Sequence, residues 1–294
     1  MSPPSRIGLG RTVLVTGCSS GIGRATALLL AKQGFRVLAG MRCPQQAEAP
    51  LRPELPLLEP LLLDVTKEDD VAYAVELVRK TSPKGLYGLV NNAGVGLPAA
   101  VELSNLDEVR QVFEINTIAP LRMIQSFLPL LRIASGRVIN MSSMNGTMAL
   151  PMVGAYSASK FALEALSDTL RVELRPWQIP VSIIRPGQVR TQIFDKARKS
   201  LHAHSADIPA ELKCGYDAMY AQASKFSDRG ARSSTSPEKV ANVVLRALQA
   251  KRPRTHYHVG FDAHGMKLAQ SLVPQRLLDR VLARTMNALK PLRG

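Results

Sequence analysis

Cysteine is scarce in this chain: three residues in 294, Cys18, Cys43 and Cys214, far apart and odd in number. Such a set provides neither a disulfide framework nor a zinc-finger pattern. Aromatic residues make up only 5%, with a single tryptophan, and they are not interleaved with basic residues as a base-stacking platform requires. No apolar run reaches the ~18 residues that cross a bilayer. The first residues lack the charged-then-apolar pattern of a secretory leader, so a cytoplasmic location is expected. Acidic side chains are few, 23 against 38 Lys and Arg, for a net charge of +15. That excess raises the question of nucleic acid. The basic residues are dispersed, however, so no nucleic-acid partner is expected; a basic surface equally attracts lipid headgroups or a phosphorylated cofactor. The pairs His202/His204 and His256/His258 have no carboxylate or cysteine close by in sequence, and no metal site is expected.

What is present is the periodicity of one large α/β domain. Residues 12–16 read as a short buried strand, followed by Gly17-Cys18-Ser19-Ser20-Gly21-Ile22-Gly23 and a helical pattern over 24–33. Glycines between a strand and a helix let the backbone turn tightly and approach a pyrophosphate, which then sits at the positive end of the helix. A second strand over 35–40 ends in Met41-Arg42. An acidic residue there would hold the ribose hydroxyls of NAD, whereas an arginine suits a 2′-phosphate, with Ser19 offering a further hydrogen bond. The expected cofactor is NADP(H) rather than NAD(H).

Five prolines between 44 and 60 break the next crossover, and a third strand is expected over 61–65, then a helix over 67–80 with Thr66 as N-cap. Asp64 at that strand's end can reach an adenine amino group or cap the turn. A fourth strand runs into Asn91-Asn92-Ala93-Gly94, where the two amides are suited to tie down backbone groups. Residues 106–132 read as helical with interruptions at Pro120 and Pro129, and Asn116 inside an apolar stretch needs buried partners. A fifth strand over 136–141 delivers Ser142 and Ser143 at its carboxyl end. A sixth over 181–184 ends in Pro186-Gly187-Gln188-Val189-Arg190-Thr191, a rigid turn that fits against a nicotinamide ring. Alternating strands and helices predict a doubly wound parallel sheet with helices on both faces, and ligand beyond the carboxyl ends of the strands.

Within the helix over 155–175, Tyr156 and Lys160 stand four residues apart and therefore share a face. A fixed ammonium beside a phenol favours the phenolate and draws its pKa down toward the range of efficient proton transfer. Ser143 would hold a substrate oxygen while Tyr156 gives or takes its proton.

The sequence resembles the short-chain dehydrogenase/reductase family over 11–191. It carries a TGxxxGxG motif at Thr16–Gly23, an NNAG motif at Asn91–Gly94 and a YxxxK motif at Tyr156 and Lys160. The resemblance implies that Tyr156 is the acid/base, that Lys160 binds the nicotinamide ribose and lowers the tyrosine pKa, and that Ser143 orients the carbonyl. It makes Asn116 the fourth member of a proton-relay tetrad, Asp64 and Val65 the adenine contacts, and Pro186, Gly187, Val189 and Thr191 the nicotinamide-side loop. Ser20, Ile22, Asn92, Ala93 and Gly94 complete the expected cofactor contacts. The similarity is greatest to NADP-linked 17-beta-hydroxysteroid and retinol dehydrogenases. It implies a lipophilic alcohol or carbonyl substrate and a homodimer or homotetramer. A silent dinucleotide-binding sensor or scaffold is the alternative, against which the intact Ser143, Tyr156 and Lys160 set argues.

A single domain over 1–294 is expected, with a cofactor and catalytic core over 11–191 and a substrate lid over 192–235. The lid's apolar residues (Ile193, Phe194, Leu201, Ile208, Leu212, Tyr216, Met219, Tyr220, Phe226) either line a pocket or pack the lid down. Ser236-Pro237 should open another helix and 255–260 form a last strand. A basic amphipathic helix over 266–292 has three possible seats: a membrane surface, the pocket mouth or a second subunit. Packing against protein is favoured, with peripheral membrane contact the alternative.

Overall fold

The computed structural model describes residues 8–43, 55–191, 193–233, 235–260 and 273–286. Seven strands form one parallel sheet in the order β3-β2-β1-β4-β5-β6-β7. They are β1 Thr12–Thr16, β2 Arg36–Met41, β3 Leu58–Leu62, β4 Gly88–Asn91, β5 Arg137–Met141, β6 Val181–Pro186 and β7 His256–Val259. Strand β1 is wholly buried and its residues alternate between two cores. Val13 and Val15 join the one built on helices α1 (Gly21–Lys32) and α8 (Pro237–Gln249). Leu14 joins the other, built on α2 (Glu68–Thr81) and α4 (Ala119–Ala134). A strand covered on both faces must be apolar throughout, which is why the parallel sheet reads as continuous Val and Leu runs.

Chain order reverses between β1 and β4, opening a crevice at the carboxyl edge where ligands of such sheets bind. Polar side chains lie buried just beneath that edge. Asn91 Nδ2 donates to Asn140 Oδ1 at 2.9 Å, Asn140 Nδ2 to Ser167 Oγ at 2.8 Å, and Ser167 Oγ to the Leu163 carbonyl at 2.6 Å. This ladder joins β4, β5 and α5 (Gly154–Glu173) without opening the core to water.

The third strand lies three residues earlier than expected. Pro60 sits inside it, opposite Ala39, because β3 is an edge strand and needs its hydrogen bonds on one side only. Its Glu59 forms a two-pronged ion pair with Arg36, 2.7 and 2.8 Å. Thr66 does not cap α2, whose N-cap is Lys67. The Thr66 backbone N–H donates instead to Asp64 Oδ1 at 3.0 Å, closing an Asx turn, and its hydroxyl donates to the same oxygen at 2.8 Å. Ser236 occupies the N-cap position of α8 as expected, but its side chain makes no capping bond.

Nor do Pro120 and Pro129 interrupt the long helix. Pro120 falls in the first turn of α4, where its missing N–H costs little, and Pro129 is absorbed inside. The break comes earlier, as a π-helical turn over Glu114–Ile118 that joins α3 (Leu106–Phe113) to α4. After β6, α6 (Ile193–Ala206) and α7 (Lys213–Ser233) form a helical pair with its own small core around Leu201, Ile208 and Tyr220. A last helix, α9 (Gln275–Thr285), buries Leu278. The proline-rich residues 44–54, the ends 266–272 and 287–292 of the amphipathic stretch, and the side chains of Ile193, Phe194 and Lys196 lie outside the described residues.

Asn140→Ala should lower the free energy of unfolding by about 2 kcal/mol, because it strands two buried partners at once. Urea denaturation of the variant against the wild type measures this.

Candidate active site

The glycine turn is shaped by contacts that leave no room for side chains. Gly17 has φ +72°, and a Cβ there would lie 2.9 Å from Ala93 Cα; at Gly23 it would lie 2.2 Å from the Gly17 carbonyl. Asn92 secures this turn to β4: its Nδ2 donates to the carbonyls of Thr16 and Gly17, while Thr16 Oγ1 accepts from the N–H groups of Asn92 and Ala93. Both asparagines are thus engaged with the turn and the sheet edge. No acidic residue occupies the first turn of α1, so the positive end of its dipole is left for an anion. A Cβ on Gly21 would touch Thr191 Cγ2 at 2.8 Å, so the glycine turn and the loop after β6 close on each other.

The two loops border a cavity of about 530 Å³. Ile22, Asn92, Gly94, Ser143, Tyr156, Lys160, Pro186, Gly187, Val189 and Thr191 all line it. Five separate segments therefore converge as the topology required. Gly17, Ser19, Ser20, Gly21, Gly23 and Ala93 shape the neighbouring turn rather than the cavity wall. Arg42 stands exposed at the end of β2. Asp64 lies within reach of its charge: burial works against the Asp64 carboxylate, but bonds from Thr66 and the Arg42 and Lys67 charges hold it below the usual range. Val65 is buried in the core beneath.

Ser143 lies two residues beyond β5 as the cap of a short 3-10 turn, its Oγ accepting from Asn145 N at 3.1 Å, which leaves its O–H free to donate. Ser143 and Tyr156 are hydrogen-bonded to each other. Lys160 is buried, and its Nζ donates to the Met141 carbonyl at 2.9 Å, 5.9 Å from the centre of the Tyr156 ring. Here the expected electrostatics change. Burial raises the Tyr156 phenol above its ordinary value of 10.0, and the Ser143 bond only partly offsets this. Burial in turn brings Lys160 down to about 8, against the opposing charge of Glu164. The ammonium is held by a backbone carbonyl rather than by the phenol, so it does not lower the phenol as the spacing alone implied. A protonated Tyr156 beside Ser143 is placed to donate to an oxygen held between them.

Asn116 sits behind the cavity in the π-helical turn, fully buried. Its Oδ1 accepts from Val95 N at 2.9 Å, and its Nδ2 donates to the Val95 carbonyl at 2.8 Å and to Ser159 Oγ at 3.0 Å. It therefore pins the loop after β4 to α5. A Cβ on Gly94 would meet both Asn116 Oδ1, at 3.2 Å, and Lys160 Nζ, at 3.5 Å. The extra residue of the π turn re-aims Asn116 into this corner.

The rest of the cavity was not legible in advance. Met144, Met148, Met152 and Met286 line it with Met141, yet in sequence they look like scattered core residues. Met152 adopts a left-handed conformation, φ +67°, to reach the wall. The apolar residues after β6 serve both expected ends: Leu201 and Phe226 line the cavity, while Ile208, Leu212, Tyr216, Met219 and Tyr220 pack the helical pair. Leu282 and Met286 bring α9 to the cavity wall. The histidines have carboxylate neighbours that only folding supplies: His204 Nε2 lies 3.0 Å from Glu108, and His256 Nε2 lies 3.5 Å from Asp168. Cys18 is inert, its thiol pushed up by burial.

A glycine cradle at a helix N-terminus, opening onto a Tyr–Lys pair beyond a parallel sheet, defines a dinucleotide-dependent oxidoreductase. The model for "short chain dehydrogenase" matches residues 11–202, and the chain belongs to that family. It is 39% identical to human retinol dehydrogenase 5 over 277 residues, 92% of this chain and 87% of that protein. It is 38% identical to rat mitochondrial D-beta-hydroxybutyrate dehydrogenase over 263 residues, 85% and 76% of the two chains. With bovine 17-beta-hydroxysteroid dehydrogenase type 6 it shares 36% over 279 residues, 93% and 88%. Among solved structures, a Burkholderia cenocepacia short-chain dehydrogenase in complex with NADP superposes with TM-score 0.72 at 24% identity, covering 98% of this chain and all of that one. A Burkholderia phymatum relative in complex with NAD gives 0.75 at 23%, covering 99% and 100%. The protein is a dehydrogenase of the class that acts on CH–OH groups, on a fold that binds NAD or NADP.

Burying Lys160 costs stability at neutral pH. Its native pKa lies below the unfolded 10.5, so below about pH 8 both states carry the proton and the full cost applies. Between the two values only the unfolded state keeps the proton, and the cost fades as pH rises. Lys160→Met should therefore be more stable than the wild type by about 2 kcal/mol at pH 7, and the gap should shrink by pH 10. Urea titrations of both proteins at the two pH values decide this.

Proposed function

We propose that this protein interconverts a lipophilic secondary alcohol and its ketone, or an alcohol and its aldehyde, with NADP(H) favoured over NAD(H). The observation that carries the substrate class is the cavity lining: Lys160 is its only charged side chain among the described residues. Leu97, Met148, Met152, Phe226, Leu282 and Met286 supply the far wall. A small hydroxy acid would bring a carboxylate into that wall with no second cation to receive it, whereas a steroid- or retinoid-like carbonyl replaces apolar contact with apolar contact. Methionines suit this role because their flexible thioethers fill irregular gaps.

The glycine turn would hold a nicotinamide cofactor, which would supply or accept the hydride. The chain's own residues do the rest. The Ser143 hydroxyl holds the substrate oxygen; the Tyr156 phenol, kept protonated by burial, gives that oxygen its proton in reduction; Lys160 holds the ribose side of the site. Asn116 keeps the loop bearing Gly94 in register with α5. Arg42, exposed at the end of β2 in the place where an NAD site would carry an acid, supports the NADP(H) reading. Helices α6 and α7 act as the lid over the apolar end.

Helix α9 supports contact with a membrane surface. While Leu278, Leu282 and Met286 face protein, Leu277 and Val281 stand half exposed among Arg276, Arg280 and Arg284. No helix among the described residues is long and apolar enough to cross a membrane. Phe161 and Val172 leave apolar patches on α5, which supports a homodimer or tetramer.

Turnover of NADPH with a steroid ketone and with retinaldehyde should exceed that with acetoacetate by about 100-fold or more in kcat/KM, a gap of about 3 kcal/mol. Acetoacetate turning over best would overturn the substrate class. Tyr156→Phe should cost at least about 100-fold in kcat and leave NADPH binding within about twofold; retained turnover would remove Tyr156 from the acid/base role. Arg42→Asp should shift the NADPH/NADH preference toward NADH, and an unchanged ratio would remove Arg42 from phosphate recognition.

A further inference from the structure

One turn beyond Lys160 on α5 lies a second buried charge, and the site described above makes no use of it. Glu164 is 8% exposed. Both its oxygens are gripped by Arg185 of β6, Nε to Oε1 and Nη2 to Oε2, each at 2.9 Å. The segment after β5 closes over it: a Cβ on Gly146 would lie 3.1 Å from Glu164 Oε1 and 2.4 Å from Ser142 Oγ. That same segment starts at Met141, whose carbonyl holds Lys160. On the far side, His256 of β7 puts Nε2 3.8 Å from Glu164 and 3.5 Å from Asp168, and Asp168 pairs with Arg171 at 2.7 Å. Burial and the Arg185 charge hold His256 below the usual histidine range, so it is neutral at physiological pH. The carboxylate thus faces Lys160 on its own helix, Arg185 from β6 and a neutral imidazole from β7.

A buried ion pair is a poor way to stabilise a core; well-packed apolar residues do as well or better. Its position, four residues from Lys160, gives it another use. Resting on the reading of Lys160 as a site residue, we propose that Glu164, clamped by Arg185, is a positioning residue that keeps the Lys160 ammonium charged and fixed beneath the cavity. The opposing charge of Glu164 limits the fall that burial imposes on Lys160. Arg185 fixes the carboxylate's orientation and tempers it, so that Glu164 supports Lys160 without drawing its Nζ away from the Met141 carbonyl and Gly94.

Acetylation of Lys160 by acetic anhydride, followed across pH by peptide mass spectrometry, reads the free-amine fraction in the full-length protein and needs no turnover. In the wild type the rate should inflect near pH 8. In Glu164→Gln the inflection should move to lower pH, with labelling at pH 7 about threefold faster or more. Glu164→Asp, which keeps the charge, should restore the wild-type curve. Arg185→Met should move the inflection the other way, because the freed carboxylate then acts on Lys160 alone. Mere loosening of the fold would admit water and raise the inflection in every variant, so opposite shifts identify the charge effect. An unchanged or raised inflection in folded Glu164→Gln overturns the proposal. Should that variant not fold, an unmoved inflection in Arg185→Met does the same. A wild type lacking dehydrogenase activity would defeat the proposed function and leave this measurement intact.

Discussion

A cation held almost wholly out of water governs the carboxyl edge of this sheet. Lys160 gives up hydration to sit beneath the cavity, and a buried ammonium persists only where neighbouring dipoles and charges oppose its loss of a proton. The Met141 carbonyl receives it, Gly94 leaves it room and Glu164 lies a turn away. Each of those neighbours is itself fixed: Met141 by the ladder of the central strands, Gly94 by the Asn116 amide through Val95, Glu164 by Arg185. The rigidity of the edge follows from that chain of dependence rather than from the strength of any one bond.

Polar groups are placed in two distinct ways around it. Asn91, Asn140, Ser167 and Asn116 are buried and largely satisfied, and they specify the geometry of loops that carry no regular structure. Ser143 and Tyr156 face the cavity with hydrogen-bonding capacity left over. Beyond them the wall turns apolar and methionine-rich, contributed by the helical pair after β6 and by α9. The hydrogen-bonding pair and the apolar wall are therefore built from different parts of the chain. This accords with a family in which relatives of comparable identity carry names as unlike as retinol, hydroxybutyrate and hydroxysteroid dehydrogenase.

Where the sequence was readable, a short-range rule applied. The glycine turn lies between a strand and a helix; Tyr156 and Lys160 are four apart; β1, β4, β5 and β6 are short apolar runs bounded by turn residues. Where it misled, a long-range partner intervened. Pro60 reads as part of the broken crossover until its place in an edge strand is known. Thr66 reads as a cap until Asp64 takes its hydroxyl. Pro120 reads as a break, whereas the disruption is the π turn around Asn116, whose amide is bound from two other segments. His204 and His256 show no acidic neighbour in sequence and have one in space.

The sequence by itself determined the doubly wound architecture and the set of polar side chains that meet at the cavity. Both are written in local periodicity and in motifs whose geometry a single turn or helix enforces. Tertiary structure alone decided the protonation of the Tyr156–Lys160 pair and the makeup of the apolar wall. Dielectric environment and convergence depend on residues far apart in the chain: burial outweighs the i, i+4 attraction, and Met148, Met152, Phe226 and Met286 meet only when the sheet, the helical pair and α9 close around one space.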